Sequence, residues 1–451
     1  MDALYPNNQV YPSVMMLHSA GKPMSRAFQL TFTSVAFVGR PSRNRRIIRG
    51  RVSMNAMAAG QAGSGRFIAL EGLRGLAAVG VLLSHALFAV EPGIFKTMYP
   101  LAQAAWPEIG WPAQLLTLPP FSMLINGSFA VCVFFVLSGF VLTKSFADTG
   151  NASVLVSRAI RRIPRLGIPI AASIVFAGTI FAMGLMRNLE VAPLTGSIWL
   201  TWYYPSSITA ATIAKEALYE SLFLGKNKLN SPLWTMSIEL VGSYLAFMFA
   251  FAARWFTFAL VTVFAAALSF AIHIAYLPFA LSFGVGVLLT RVSPAKWPHK
   301  AKIAILLAAI YLGGFSNDIL YEPIIKLSPI DFNPLKDAMH CVGATFLVAS
   351  VLALPSLQRA FSSYFFPLLG RLSFSVYLLH FPILCSLGCF VYLWTIQWGH
   401  AIAASSTVLI VLVTTIIAAV PFQRLVDVKS MEIAKRVDQY LRGFLRKTAE
   451  A

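Results

Sequence analysis

The sequence predicts an all-α bundle of about ten membrane-spanning helices with both termini cytoplasmic, and three observations carry that prediction. Of 451 residues, 57% are hydrophobic and 12% charged, about half the charged fraction of a soluble domain, and the mean hydropathy is +0.71. Apolar runs of the length a bilayer requires recur along the chain. Lys and Arg gather in alternate loops and in the C-terminal tail, as the positive-inside bias demands of an even number of spans.

In chain order, residues 1–65 contain no acidic residue after Asp2 and carry Arg40, Arg43, Arg45, Arg46, Arg49 and Arg51, a composition that builds no core. They read as a disordered basic leader of transit-peptide type, or as codons upstream of a start at Met54 or Met57. The membrane domain occupies 66–422, with spans expected near 67–90, 124–143, 167–186, 232–252, 255–273, 275–291, 302–316, 338–354, 372–397 and 401–421. Residues 423–451 read as a cytoplasmic amphipathic tail. The net charge of +19 sits at the ends of apolar spans, so it serves topology and no nucleic-acid module is expected. Cys132, Cys341, Cys385 and Cys389 all lie in apolar spans without CxxC or Cys/His spacing, and no metal site is predicted. No inverted repeat of broken helices is visible, which argues against a secondary transporter.

The first span is the anomaly, because it carries Glu71, Arg74 and His85 in an otherwise apolar run. Ionisable groups at membrane depth are costly and face a protein interior or a wet cavity. Eleven residues of helix return Arg74 and His85 to one face, about 16 Å apart. Counted along the sequence, Glu239 in SPLWTMSIEL matches the depth of His85, and a carboxylate beside an imidazole orients the ring and raises its basicity. Before the third span, Arg158, Arg161, Arg162 and Arg165 follow i, i+3, i+4, i+7 spacing. Such a stripe suits phosphate oxygens, which guanidinium forks bind in pairs, although juxtamembrane arginines also set topology and Pro164 interrupts the run. Candidate cavity-lining residues are Ser138 in the second span, Trp234 beside the fourth, and Tyr377 and His380 in the ninth, where Pro382 frees a backbone carbonyl. From these residues alone, a His/Glu/Arg path for a proton or anion through a transporter or flippase is the alternative to catalysis.

Five segments in order, EGLRGLAAVGVLLSH (71–85), FFVLSGF (134–140), RRIPR (161–165), SPLWTMSIE (231–239) and GRLSFSVYLLHFP (370–382), resemble the acyltransferase family 3 integral membrane proteins. These acylate sugars of exopolysaccharides, O-antigens, peptidoglycan, lipo-oligosaccharide signals and some macrolides. The resemblance runs from Arg66 to Pro421 and implies that His85 is the general base. It also implies that Arg162 and Arg165 lie near the acyl donor, and that Trp234 and Glu239 occupy the family's W-S-x-S-x-E segment. Departures are Glu71 for the family's Asp, Ala130-Val131-Cys132 for Gly-Val-Asp, Leu240 for a second glutamate, and Gly167-Ile168-Pro169 for an aromatic-proline step.

The expectation is therefore an O-acyltransferase of a bacterial inner membrane that moves acetyl from acetyl-CoA, used as a co-substrate with no permanently bound cofactor, to a hydroxyl of a saccharide or lipid-linked saccharide. The donor phosphates would meet Arg162 and Arg165, the pantetheine arm would pass Arg74, and His85, oriented by Glu239, would deprotonate the acceptor. A polysaccharide-assembly complex is a further candidate partner.

Overall fold

The structure, a computed structural model, describes residues 49–100, 107, 109–205, 208–253 and 277–450. By compactness the chain divides into 1–65 and 66–451. Of the expected leader, residues 49–65 are helical and residues 1–48 lie outside the described residues. All regular structure among the described residues is helical, as the composition requires: a chain without water to satisfy its backbone must do so within each segment.

The principal helices are α1 (Arg49–Val90), α2 (Gly127–Thr149), α3 (Ser153–Ala182), α4 (Trp234–Ala252), α5 (Leu277–Leu289), α6 (His299–Gly313), α7 (Phe332–Ala353), α8 (Phe365–Ile383), α9 (His400–Phe422) and α10 (Val428–Glu450). Seven stretches among the described residues are long and apolar enough to cross a bilayer: Arg66–Val90, Gly127–Thr149, Ser153–Ala182, Ser231–Ala252, Phe332–Ala353, Phe365–Trp398 and His400–Phe444. These answer seven of the ten expected spans. The expected span at 255–273 lies outside the described residues, while the sixth and seventh correspond to the shorter helices α5 and α6, of 13 and 15 residues. At 1.5 Å per residue those two fall short of the hydrocarbon thickness.

Helix α2 packs between α5 and α7, α6 lies on α7, α8 on α9, and α10 along α3. The apolar window of α1 is 72% buried and that of α9 only 28%, which places the charged first span inside the bundle and the charge-free α9 outside it. Helix α3 runs continuously through Pro164 and Pro169, so all four arginines of the stripe share one helix. Pro169 has no N–H for the Arg165 carbonyl, and the Ser430 hydroxyl, 3.5 Å away, donates to that carbonyl instead. The tail is docked as well: Ser157 of α3 donates to Asp438 of α10 at 2.6 Å.

The functional helices α1 and α8 meet at glycines. A Cβ at Gly370 would lie 2.2 Å from the Glu71 carbonyl oxygen, and one at Gly75 would lie 2.5 Å from the Gly370 nitrogen. Only bare backbone allows that approach, and it brings the faces that carry Arg74, His85, Tyr377 and His380 together. Replacing Gly370 by Leu should therefore lower the melting temperature of the detergent-solubilised protein, with an overpacking cost of about 1–3 kcal/mol or more. Gly443→Ala, where nothing lies within 4 Å, should not lower it; a Gly370→Leu protein that melts with the parent would refute the close crossing.

Candidate active site

Helices α1, α2, α3, α4 and α8 form a cleft lined on its polar side by Arg74, Ser138, Arg162, Arg165, Thr235, Glu239 and Tyr377. Phe134, Phe135, Leu166, Met236 and Phe374 supply most of the remaining wall. The site thus assembles from five segments far apart in sequence, each contributing the residues that look inward from an apolar helix.

The deepest part of its chemistry is an ion pair. Arg162 is 7% exposed and Glu239 8%, and they are joined through Nη2 and Oε1. Arg162 Nε also donates to Ser243 Oγ at 2.7 Å, Ser243 in turn donates to the Glu239 carbonyl at 2.5 Å, and Ser138 donates to Glu239 Oε1 at 2.7 Å. A buried charge pair is costly unless its remaining hydrogen-bonding capacity is also used, and the two serines take up part of it. Ser243 lies one helical turn beyond Glu239, on the same face of α4, and that i, i+4 spacing is the only sign of it in the sequence.

The stripe of arginines is divided by its surroundings. Arg158 donates to the carbonyls of Val141 and Leu142 near the end of α2. Arg161 donates to the Ser157 carbonyl at 3.1 Å and lies 3.7 Å from Asp438. Arg162 is committed to Glu239. Arg165 looks into the cleft together with Arg74; among the described residues neither side chain makes a hydrogen bond or a close ion pair, and the Asp427 carboxylate lies within electrostatic reach of both. Two guanidinium groups on one cavity wall, offset by the single carboxylate of Asp427, give that wall a positive potential.

The sequence suggested that Glu239 orients His85, but the structure gives each a different partner. Glu239 sits level with the arginines because the buried guanidinium of Arg162 claims it. His85 Nδ1 is instead 2.8 Å from Nε2 of His380, and the Nδ1 atom of His380 lies 3.1 Å from the Val376 carbonyl. His380 is fully buried, whereas His85 keeps partial exposure. Of the other candidates, Ser138 and Tyr377 line the cleft. Trp234 packs against Phe279 at 5.8 Å, and its neighbour Thr235 faces the cleft in its place.

Tyr377 joins the two halves. Its hydroxyl lies 2.6 Å from Thr235 Oγ1 and donates to the Pro232 carbonyl at 3.1 Å, while its ring centroid is 6.0 Å from that of His380, one turn further along α8. Pro382 cannot donate to the Leu378 carbonyl, and Asn230 Nδ2 fills that place at 2.8 Å. A π-turn follows at Leu384–Gly388, where the Cys385 carbonyl accepts from the Arg187 backbone at 2.8 Å. These contacts draw the segment 188–204 over the histidines. Trp199 lies nearly parallel to the His85 ring at 5.4 Å, Ser197 donates to the Phe88 carbonyl at 2.8 Å, and the Tyr203 ring packs edge-on to Phe381 at 4.7 Å. Burial pushes the Tyr203 phenol up to about 12, against the opposing hydrogen bond with Ser231, so it stays neutral throughout the physiological range.

The family described as acyltransferase domain matches residues 67–424. The O-acetyltransferase PaAT-1 of Phomopsis amygdali is 24% identical over 435 residues, an alignment that covers 82% of this chain and 84% of that protein. No solved structure matches.

The ion pair makes a direct prediction for stability. Glu239→Gln leaves the Arg162 charge buried without a counter-charge and should cost about 3–5 kcal/mol. The double substitution Arg162→Met with Glu239→Met should cost clearly less than the sum of the two single changes, read as a coupling energy from thermal unfolding of all four proteins. Additive costs would show that the pair carries no coupling.

Proposed function

The chain belongs to the acyltransferase domain family and is a membrane enzyme that transfers acyl groups, and from that premise we propose that it carries an acyl group, acetyl in the first place, from acyl-CoA to a hydroxyl of a saccharide or lipid-linked saccharide. The observation that carries this reading is the pair of arginines, Arg74 and Arg165, whose guanidinium groups make no hydrogen bond among the described residues and share one carboxylate, Asp427, on a cleft whose far wall, Tyr377, adjoins the His85–His380 pair. Phosphate oxygens of a nucleotide thioester match two open guanidinium groups. The uncharged pantetheine arm matches the aromatic and aliphatic remainder of the cleft. Arg74 and His85 lie about 16 Å apart along α1, a distance close to half a bilayer core and within the reach of an extended arm.

The reaction needs one base and one exit for a proton. The His85 imidazole removes the proton of the acceptor hydroxyl, whose oxygen attacks the thioester carbonyl carbon. As the C–S bond breaks, the thiolate of CoA leaves and takes the proton back from His85. An ester and free CoA result, and no net charge is consumed. Arg162 and Glu239, locked together, hold α3 against α4 and so fix Arg165 on the cleft wall. The fungal relative's name, an O-acetyltransferase, supports acetyl as the group and oxygen as the acceptor atom. Clustering of Lys and Arg at the arginine end supports a cytoplasmic donor site. Any bilayer bordering the cytoplasm meets that requirement, the bacterial inner membrane among them, and a polysaccharide-assembly complex that presents the acceptor is a compatible partner.

The test is CoA release and labelled acetyl transfer by protein reconstituted in lipid nanodiscs, with a panel of saccharide acceptors. His85→Ala should lose about 10²–10⁴-fold in kcat, and Arg165→Ala should raise the acyl-CoA KM about 10–100-fold, the worth of a hydrogen bond to a charged group. Wild-type turnover by His85→Ala removes the base assignment. An unchanged acyl-CoA KM in both Arg74→Ala and Arg165→Ala removes the donor site.

A further inference from the structure

We propose that His380 is the positioning residue of the acyl-transfer site: it sets the tautomer of His85 and leaves His85 Nε2 as the bare, basic nitrogen. This deepens the assignment of His85 as base and rests on it. A chain of donors and acceptors begins at a group with no choice. The Val376 carbonyl can only accept, so the His380 nitrogen 3.1 Å from it, Nδ1, carries the proton. His380 is fully buried in an apolar span, and among the described residues no carboxylate pairs with it, so its ring is neutral and its other nitrogen, Nε2, is an acceptor.

The atom 2.8 Å from that acceptor is His85 Nδ1, which must therefore be the donor. A neutral imidazole has one N–H, and His85 Nε2 is left with its lone pair free. The rings are 10° from parallel with centroids 5.1 Å apart, the arrangement of two rings joined edge to edge in one plane. Phe381 edge-on at 6.0 Å and Trp199 nearly parallel at 5.4 Å hold the His85 ring in that plane.

The relay also serves the next instant of the reaction. When Nε2 takes the acceptor's proton, His85 becomes an imidazolium whose Nδ1–H still points at the His380 lone pair, so the hydrogen bond becomes charge-assisted as charge develops. No proton passes to His380, whose Nδ1–H stays on Val376. The backbone relay is held by the i to i−4 geometry of α8, and the Leu378 carbonyl freed by Pro382 is closed off by Asn230, so the His380 ring has a fixed base.

The experiment compares His380→Leu, which offers no acceptor, with His380→Gln, whose amide oxygen can stand where Nε2 stood, in the nanodisc assay. His380→Leu should lose about 100-fold or more in kcat with the acyl-CoA KM unchanged, and His380→Gln should recover at least tenfold of that loss. Independently of any variant, ¹⁵N spectra of ring-labelled histidine, assigned by His85→Ala, should show His85 protonated at Nδ1 and bare at Nε2. A parent protein with the proton on His85 Nε2, or a folded His380→Leu protein with parental kcat while His85→Ala is inactive, overturns the relay and leaves the base assignment standing. A fully active His85→Ala protein would instead overturn the reading on which the relay rests.

Discussion

An arginine inside an apolar bundle cannot be left alone, and much of this site follows from how Arg162 is satisfied. Its charge requires a carboxylate, Glu239 supplies it, and the remaining hydrogen-bonding capacity of the pair requires Ser138 and Ser243. Those four residues lie on α2, α3 and α4, so one ion pair fixes the mutual rotation of three helices. The same arrangement divides the labour of the arginine stripe. Once Arg162 is neutralised, the positive potential of the cleft comes from Arg74 and Arg165, two guanidinium groups against the single carboxylate of Asp427.

A second constraint acts on the backbone. Proline in a membrane helix opens a carbonyl that something else must cap, and here the caps are functional connectors. Asn230 caps the Leu378 carbonyl and ties the loop before α4 to the helix that carries His380. Ser430 reaches the Arg165 carbonyl and ties the start of α10 to the helix that carries the arginines. The site is therefore stiffened at two of the prolines where its helices would otherwise bend, with the histidine pair near one and Arg165 near the other.

How much of this is legible in the sequence depends on whether a feature is axial or azimuthal. Length and hydropathy place helices along the chain, and seven of the ten expected spans appear as apolar helices of sufficient length. The eleven-residue step from Arg74 to His85 puts both on one face of α1, because a single helix sets both coordinates. The partner of His85 is another matter. Depth counted from the ends of segments put Glu239 opposite His85, but depth says nothing about which neighbour a side chain faces. The decisive facts, the Gly75 and Gly370 crossing and the claim of Arg162 on Glu239, belong to tertiary packing. His380 was visible as a histidine one turn from Tyr377 and two residues before a proline, yet its pairing depends on the rotation of α8 against α1.

The separation between anion site and histidines bears on what can travel through the bundle. Phe134, on the cleft wall with Arg165, packs edge to face with the Tyr377 ring at 5.8 Å, and Tyr377, beside His380, has its hydroxyl already engaged by Thr235 and Pro232. A small ion crossing that stretch would give up its hydration and find aromatic carbon, at a cost of several kcal/mol. A phosphate anchored at the arginines with a flexible, uncharged arm would place no charge there and would gain apolar contact along the way. The pattern of charge at one end, apolar wall in the middle and a neutral imidazole at the other suits a long amphiphilic donor better than any permeant ion. It also explains why the arginines and the histidines need not touch: the proposed donor is the molecule that spans the distance between them.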